Sequence, residues 1–207
     1  MEGKMRIAAI LGSMRNKGNT EILLDVALDE AQKNGATVSK LTLREMTIAP
    51  CDGCGACFKT GECIIKDDME KIYSEMVQAD GIIWATPVYF WSMTGLTKVV
   101  MDRTYALGFP KLQLMNKVGG LILVAGGRGC LNTANIFHMY FNYNHMFSTE
   151  FASGYAGEKG AIEKNDYALN AAKEMVNQMT SLIKVEPKFP EEFSAPLPRY
   201  VRKKYSL

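Results

Sequence analysis

Five apolar runs that alternate with amphipathic segments constrain the fold of this chain more than any other feature. The runs occupy 7–11, 37–43, 81–86, 117–125 and 149–155. Apolar residues at helical spacing follow each run, over about 21–34, 69–77, 94–105, 133–146 and 166–183. Strands that are apolar on both faces are typical of a parallel sheet covered by helices on each side. The sequence therefore predicts one doubly wound α/β domain over 1–184.

A polar loop follows the first apolar run and opens the first helix. It runs from Gly12 to Thr20 with the sequence GSMRNKGNT. The first N–H groups of a helix lack intrahelical partners and carry the positive end of its dipole, so this position favours an anion. The loop lacks the Lys-Ser/Thr ending of a triphosphate loop and the three-glycine spacing of a dinucleotide fingerprint. It suits a phosphate monoester such as that of FMN, with candidate ligands Ser13, Arg15, Gly18, Asn19 and Thr20; a plain polar turn with an N-cap is the alternative.

Three consecutive aromatic residues stand in the loop after the third apolar run, Thr86-Pro87-Val88-Tyr89-Phe90-Trp91. In flavodoxin-type winding, ligands lie beyond the carboxyl ends of the strands, where the winding reverses between the first and third strands. Aromatic residues are costly to expose in a plain connection, whereas a flat ring would stack against them. We therefore expect the loop to line a flavin ring, close to the flexible Gly126-Gly127 after the fourth strand. Aromatic packing under a neighbouring loop or subunit is the alternative.

Three motifs together resemble one known family. They are Gly12-Ser13-x-Arg15 with Asn19-Thr20, Thr86-Pro87-Val88-Tyr89-Phe90, and Thr94-Gly95-Leu96-x-Lys98 with Asp102-Arg103. In this respect the chain resembles the NAD(P)H-dependent FMN reductases, and within them the iron–sulfur flavoproteins. The resemblance implies a flavodoxin-like five-stranded parallel sheet of order 2-1-3-4-5 with FMN between the first and third loops. It also implies a homodimer or homotetramer whose interface borders the flavin. Trp91 departs from the family, whose members often carry a small residue there.

Four cysteines form the sharpest local motif, within a loop over 47–65. They are spaced as Cys51-x2-Cys54-x2-Cys57-x5-Cys63. Three thiolates at even intervals with a fourth nearby can converge on one [4Fe–4S] cluster, whereas zinc sites usually come as two separated pairs. The spacing matches the iron–sulfur flavoprotein motif, although relatives of the family keep such cysteines while working with FMN alone. A cluster, a metal-free thiol loop and zinc all stay open.

The remaining features set limits on the class of protein. A net charge of +2 gives no field that favours nucleic acid. The start of the chain leads into a run too short for a signal peptide or membrane span, and five clustered cysteines do not form an extracellular disulfide framework. We expect a cytoplasmic protein. Cys130 stands outside the cysteine motif, and we expect His138 and His145 on a helix face at a subunit interface.

The last segment, 185–207, differs from the rest of the chain. It holds four of the seven prolines and ends in a basic cluster of Arg199, Arg202, Lys203 and Lys204. Proline at this density favours an extended path. Two interpretations stay open, a loose terminus and an arm laid across a neighbouring subunit.

The predicted function is that of an FMN-dependent oxidoreductase. A reduced nicotinamide would pass hydride to the flavin, which would then reduce a quinone, free flavin, metal ion or protein. No general acid or base is needed for hydride delivery, so no catalytic side chain is predicted. An electron carrier with FMN and a cluster but without nicotinamide turnover is the alternative, and a redox-sensing or zinc-stabilised binding module is the third.

Overall fold

A parallel sheet forms the centre of the molecule; the computed structural model describes residues 5–195. The strands are β1 (Arg6–Leu11), β2 (Thr37–Thr42), β3 (Gly81–Pro87), β4 (Val118–Ala125), β5 (Phe147–Ser148) and β6 (Ala152–Tyr155). Their order is β2-β1-β3-β4-β5, with β6 also paired to β4, and every pairing is parallel. This confirms the predicted sheet and its order, with a sixth strand added.

Helices cover both faces of the sheet. They are α1 (Asn19–Lys33), α2 (Cys57–Thr60), α3 (Met69–Gln78), α4 (Gly95–Arg103), α5 (Cys130–Tyr143) and α6 (Asp166–Val185). Successive strand residues point to opposite faces, so Ile7 and Ala9 pack with α1 and α6, whereas Ala8 and Ile10 pack with α3, α4 and α5. Within residues 5–195, no helix has the length and hydropathy needed to cross a bilayer.

The prediction of one continuous strand over 149–155 is wrong. β4 pairs first with β5, where Gly119 is opposite Ser148, and then with β6, where Ile122 is opposite Ala152. Three residues along β4, from 119 to 122, therefore correspond to four residues along the neighbouring segment, from 148 to 152. The additional residue in that segment forms a β-bulge. The pattern of apolar residues does not reveal this interruption, because a bulge changes the pairing of the strands without changing their amino-acid composition.

Helix α5 begins and ends three residues earlier than the predicted 133–146. Gly129, in the left-handed region at φ 94°, precedes the helix, and its carbonyl accepts a hydrogen bond from the Thr133 hydroxyl at 3.0 Å. Cys130 therefore lies in the first turn and is buried. His145 lies beyond the helix, so its predicted place on the helix face is wrong, whereas His138 lies on the helix beside Phe141.

The first part of the tail, residues 186–195, packs against its own chain. The ring of Phe189 stacks on His145 and on Phe147, with centroids 5.3 and 4.8 Å apart. The carbonyls of Phe193 and Ser194 lie at hydrogen-bond distance from His145 Nδ1 (2.7 Å) and Leu112 N (2.8 Å). The basic cluster lies outside the described residues, and the arm across a neighbouring subunit stays a prediction.

Candidate functional site

The loop after β1 leads directly into the amino end of α1. Gly18 precedes the helix without a side-chain cap, so the first-turn N–H groups are left for another acceptor. The side chains of Ser13 and Thr20 are buried at this end of the helix, whereas Arg15 is exposed. Ser13 Oγ accepts a hydrogen bond from Arg15 N at 3.3 Å, which shapes the turn around the helix end. A helix end of this kind, with unpaired first-turn N–H groups, favours an anion.

Asn19 has a different role from the one its residue type suggests. Its side-chain amide donates to the carbonyls of Ala156 and Glu158, at 3.3 and 2.7 Å, and its Oδ1 accepts from Ile162 N at 3.4 Å. The side chain therefore ties the loop to the segment after β6. The group that Asn19 can offer to an anion is its backbone N–H.

Glu21, in the first turn of α1, is a buried carboxylate that the sequence analysis did not single out. It accepts hydrogen bonds from Lys17 N at 2.7 Å, Arg44 at 3.1 Å and Lys40 at 3.3 Å. Burial raises the pKa of Glu21, but these hydrogen bonds outweigh it and leave the pKa below its usual value. Two cations therefore neutralise this carboxylate, which limits its repulsion of an anion at the same helix end.

A buried threonine network joins the two predicted loops. The Thr94 hydroxyl donates to the carbonyl of Gly12 at 2.9 Å and lies 2.7 Å from the Thr97 hydroxyl, which donates to Thr86 Oγ1 at 3.3 Å. A side chain at Gly12 would place its Cβ 1.8 Å from Thr97 Oγ1, so only glycine fits. Thr86 is fully buried and belongs to this network, so its side chain holds the loops together.

The aromatic residues after β3 form a tight hairpin turn. Tyr89 and Ser92 exchange both backbone hydrogen bonds, at 2.8 and 3.1 Å, and between them Phe90 and Trp91 have φ of 45° and 72°. Two successive positive φ values define a type I′ turn, which normally carries Asn-Gly. Non-glycine residues held there cost about 1–3 kcal/mol each and cluster at functional sites. Phe90 is 98% exposed, so packing within the chain does not explain the turn.

The glycine-rich segment after β4 lies against this turn. A side chain on Gly129 would meet Val88 Cγ1 at 2.9 Å and Trp91 Cα at 3.1 Å. Side chains on Gly126 and Gly127 would meet no atom within 4 Å among the described residues. The Val88 N–H donates to the Val124 carbonyl at 2.8 Å and fixes the start of the aromatic turn. Open backbone beside exposed aromatic rings fits a flat ring such as that of FMN.

The four clustered cysteines share one electrostatic neighbourhood. Burial raises the pKa of the Cys57 thiol, and repulsion from Cys63, Cys51 and Cys54 raises it further. Cys51 and Cys54 are exposed, and the other two are partly buried. Among residues 5–195, no three His, Cys, Asp or Glu side chains form an arrangement that could hold a metal ion. The four thiols therefore do not form a ligating arrangement in this structure, although four thiolates are the donor set of such a cluster.

The strand order and the two loops at the carboxyl ends of β1 and β3 define a flavodoxin-like α/β protein. The sequence model of the NADPH-dependent FMN reductase family matches residues 5–158. The chain therefore belongs to this family, which confirms the resemblance drawn from its motifs. FMN-dependent oxidoreductase is the class of activity that this membership supports.

Several proteins are similar to the chain over most of its length. An iron–sulfur flavoprotein of Methanocaldococcus jannaschii is 32% identical over 193 residues, which cover 87% of this chain and 98% of the relative. An iron–sulfur flavoprotein of Methanosarcina thermophila is 35% identical over 155 residues, or 74% of this chain and 81% of the relative. The solved structure of RosB with bound 8-demethyl-8-formylriboflavin-5'-phosphate matches with a TM-score of 0.78 at 16% identity, over 98% of this chain and 87% of RosB. This last match supports the fold alone.

Proposed function

We propose that the chain binds FMN between the β1–α1 loop and the aromatic turn, and uses it to pass electrons from NAD(P)H to a second acceptor. The observation that carries the proposal is the 2.9 Å hydrogen bond from Thr94 to the Gly12 carbonyl. It fixes an anion-binding helix end beside three exposed aromatic residues. FMN needs a phosphate site and a ring site on adjoining loops, whereas a plain polar turn does not.

The phosphate end of the site relies on hydrogen-bond donors rather than on a metal. The N–H groups of Asn19 and Thr20 lie in the first turn of α1, and the exposed Arg15 supplies a guanidinium that can close over them. The Gly18 N–H and the Ser13 hydroxyl both donate to the Arg15 carbonyl, at 3.3 and 3.4 Å, and would turn to the phosphate when it binds. Charge-assisted hydrogen bonds of this kind are stronger than neutral ones. The helix dipole adds to them.

The ring end of the site relies on stacking and open backbone. Tyr89, Phe90 and Trp91 present exposed aromatic surface, and Pro87 and Val88 fix its position at the end of β3. Gly126 and Gly127 leave room for the far edge of the ring. Bound FMN supplies hydride and single-electron chemistry. The side chains that line the site orient the reactants and exclude water. Hydride delivery to the flavin needs no general acid or base, so we assign none.

Rapid mixing of the FMN-loaded protein with NADH and with NADPH tests this function. Loss of the oxidised flavin absorbance within seconds supports an oxidoreductase and shows which nicotinamide it uses. A stable flavin spectrum with both would instead support the alternative, an electron carrier without nicotinamide turnover. Quinone, free flavin, ferric iron and a small electron-transfer protein are then compared as acceptors under turnover.

We also propose that Cys51, Cys54, Cys57 and Cys63 ligate a [4Fe–4S] cluster. The four thiols stand within 13 consecutive positions of one loop, and two similar proteins are iron–sulfur flavoproteins. Iron and acid-labile sulfide assays on anaerobically purified protein test the cluster. Near-zero iron together with intact FMN would leave a metal-free thiol loop, and zinc in place of iron would overturn the assignment.

We further propose a homodimer or homotetramer whose interface borders the flavin. The aromatic turn supports this, because Phe90 is 98% exposed and Tyr89 and Trp91 are about half exposed. Sedimentation analysis of the wild type and of a variant with Phe90 changed to Asp tests it. A monomeric wild type would overturn the proposal.

A further inference from the structure

Arg103, the last residue of α4, is a buried cation directed at the cysteine loop. Its side chain is 0% exposed. The guanidinium donates to the carbonyl of Ala49 at 2.7 Å and to the carbonyl of Ile65 at 3.0 Å. These two carbonyls flank the cysteine run, since Ala49 precedes Cys51 and Ile65 follows Cys63. One side chain therefore holds both ends of the loop.

Asp67 is the carboxylate partner of Arg103 and also binds the cysteine loop. Its two carboxylate oxygens accept hydrogen bonds from the two terminal nitrogens of Arg103, at 2.7 and 3.1 Å. Asp67 also accepts from Ala49 N at 2.9 Å and Met69 N at 3.0 Å, so it joins the loop to the start of α3. Burial raises the pKa of Asp67, but Arg103 and these N–H groups outweigh it and lower the pKa overall. Both carboxylate oxygens of Asp67 and both terminal nitrogens of Arg103 are hydrogen-bonded, which offsets the cost of burying the two charges.

The geometry also places Arg103 near the metal-ligating candidates. Ile65, whose carbonyl accepts from Arg103, is two residues beyond Cys63. Tyr73 OH donates to the Arg103 carbonyl at 2.9 Å, which fixes the end of α4 against α3. Arg103 Nε is buried and has no hydrogen-bond partner among the described residues. The guanidinium makes these bonds from two nitrogens held in a rigid planar fork, whereas a lysine ammonium would have to make them all from one nitrogen.

We propose that Arg103 is the positioning residue of the cysteine loop. It closes the loop at Ala49 and Ile65, so the four thiols stay together before any metal or cluster binds. The entropy of bringing the loop ends together is then overcome during folding of the domain and not during cofactor binding. The cofactor in this inference rests on the proposed cluster, but the order of the metal-free loop does not.

Limited proteolysis of the metal-free protein measures that order directly. Lys59 lies in α2 within the loop and offers trypsin a cleavage site. Cleavage of a folded protein follows the population of its locally open form. We expect Arg103→Met to raise the initial rate of cleavage after Lys59 by at least about tenfold, and Arg103→Lys to raise it less because the charge remains.

Arg44→Met is the matched control, because Arg44 is also a largely buried arginine paired with an acid, Glu21, and makes no hydrogen bond to the cysteine loop among the contacts of residues 5–195. It is expected to leave the rate at Lys59 within about twofold of the wild type. Mass spectrometry of the first fragments separates loop cleavage from global unfolding, and circular dichroism with a urea midpoint reports whether each variant is folded. If Arg103→Met does not fold, the same comparison is made with Arg103→Lys alone.

Anaerobic reconstitution with ferrous iron and sulfide is the second measurement. We expect iron content per chain to fall in the order wild type, Arg103→Lys, Arg103→Met, with FMN content unchanged. If the wild type takes up no iron, the proposed cluster is refuted. The proteolysis result then remains the test of whether Arg103 holds the cysteine loop closed. Equal rates of cleavage after Lys59 in the wild type and the folded Arg103 variants would overturn the inference.

Discussion

Replacing Gly12 by alanine is the most direct perturbation of the threonine network that joins the β1–α1 loop to the aromatic turn. The added Cβ would lie 1.8 Å from Thr97 Oγ1 and 3.2 Å from Thr97 Cβ. Relief to an ordinary contact of 3.4 Å requires a movement of about 1.6 Å. The hydrogen bonds of the threonine network are 2.7–3.3 Å long, so a movement of this size breaks them.

The expected cost follows from two contributions. Overpacking a well-filled site costs about 1–3 kcal/mol, and leaving the buried Gly12 carbonyl without its donor costs about 1–3 kcal/mol. We therefore expect Gly12→Ala to lower the free energy of unfolding by about 2–6 kcal/mol. Because the movement separates the phosphate loop from the aromatic turn, we expect the FMN dissociation constant to rise by about 10- to 100-fold.

Urea unfolding and titration by flavin fluorescence measure the two effects. Gly95→Ala is the control, since Gly95 is next to Thr94 and a side chain there meets nothing within 4 Å; it should keep the wild-type FMN affinity. Gly12→Ala combined with Thr97→Ala removes the colliding oxygen and should recover part of the loss. If Gly12→Ala keeps the wild-type stability and FMN affinity, the claim that the threonine network holds the two loops together is refuted.

Three further predictions test single features of the site. Thr94→Val keeps the shape but removes both the donor to Gly12 and the acceptor that caps α4 at Thr97 N. It should therefore cost about 1–3 kcal/mol in urea unfolding and weaken FMN binding, while Thr94→Ser should restore both; an unchanged Thr94→Val would show that these hydrogen bonds are unimportant. Phe90→Asn with Trp91→Gly gives the turn its preferred residues, so stability should rise by about 1 kcal/mol while flavin reduction by NAD(P)H slows; unchanged reduction kinetics would deny the aromatic pair a role. Because the folded pKa of Glu21 is lowered, its stabilising effect is present above its unfolded pKa of about 4.3 and is lost as pH falls through the lower folded value. The stability advantage of the wild type over Glu21→Gln, from urea midpoints, should therefore shrink below about pH 4.3, and a pH-independent difference would contradict the ion pairing.

The architecture was predictable because it depends on repeated, local patterns. Strands buried on both faces give continuous apolar runs, so the parallel sheet could be expected before the structure. Its strand order was implied by the resemblance to the FMN reductases. The β1–α1 loop and the aromatic turn were recognisable because the residues of each are consecutive in the sequence. The break between β5 and β6 was not, because an extra residue in one strand leaves the apolar pattern intact.

The contacts that assemble the site were not predictable, because they join residues far apart in the chain. Gly12 and Thr94 are separated by 82 positions, and each alone is an ordinary loop or cap residue. Asn19 has the composition of a phosphate ligand, yet its side chain bonds to carbonyls 137 and 139 positions away. Arg103 stands in a family motif, but only the fold shows that it closes the cysteine loop.

A crystal structure of the protein with FMN would locate the cofactor directly. It should show one FMN per chain, with the phosphate at the amino end of α1 near Ser13 and the ring against Tyr89–Trp91 beside Gly126 and Gly127. FMN bound away from either loop, or crystals that take up no FMN from a saturating solution, would contradict the proposed site.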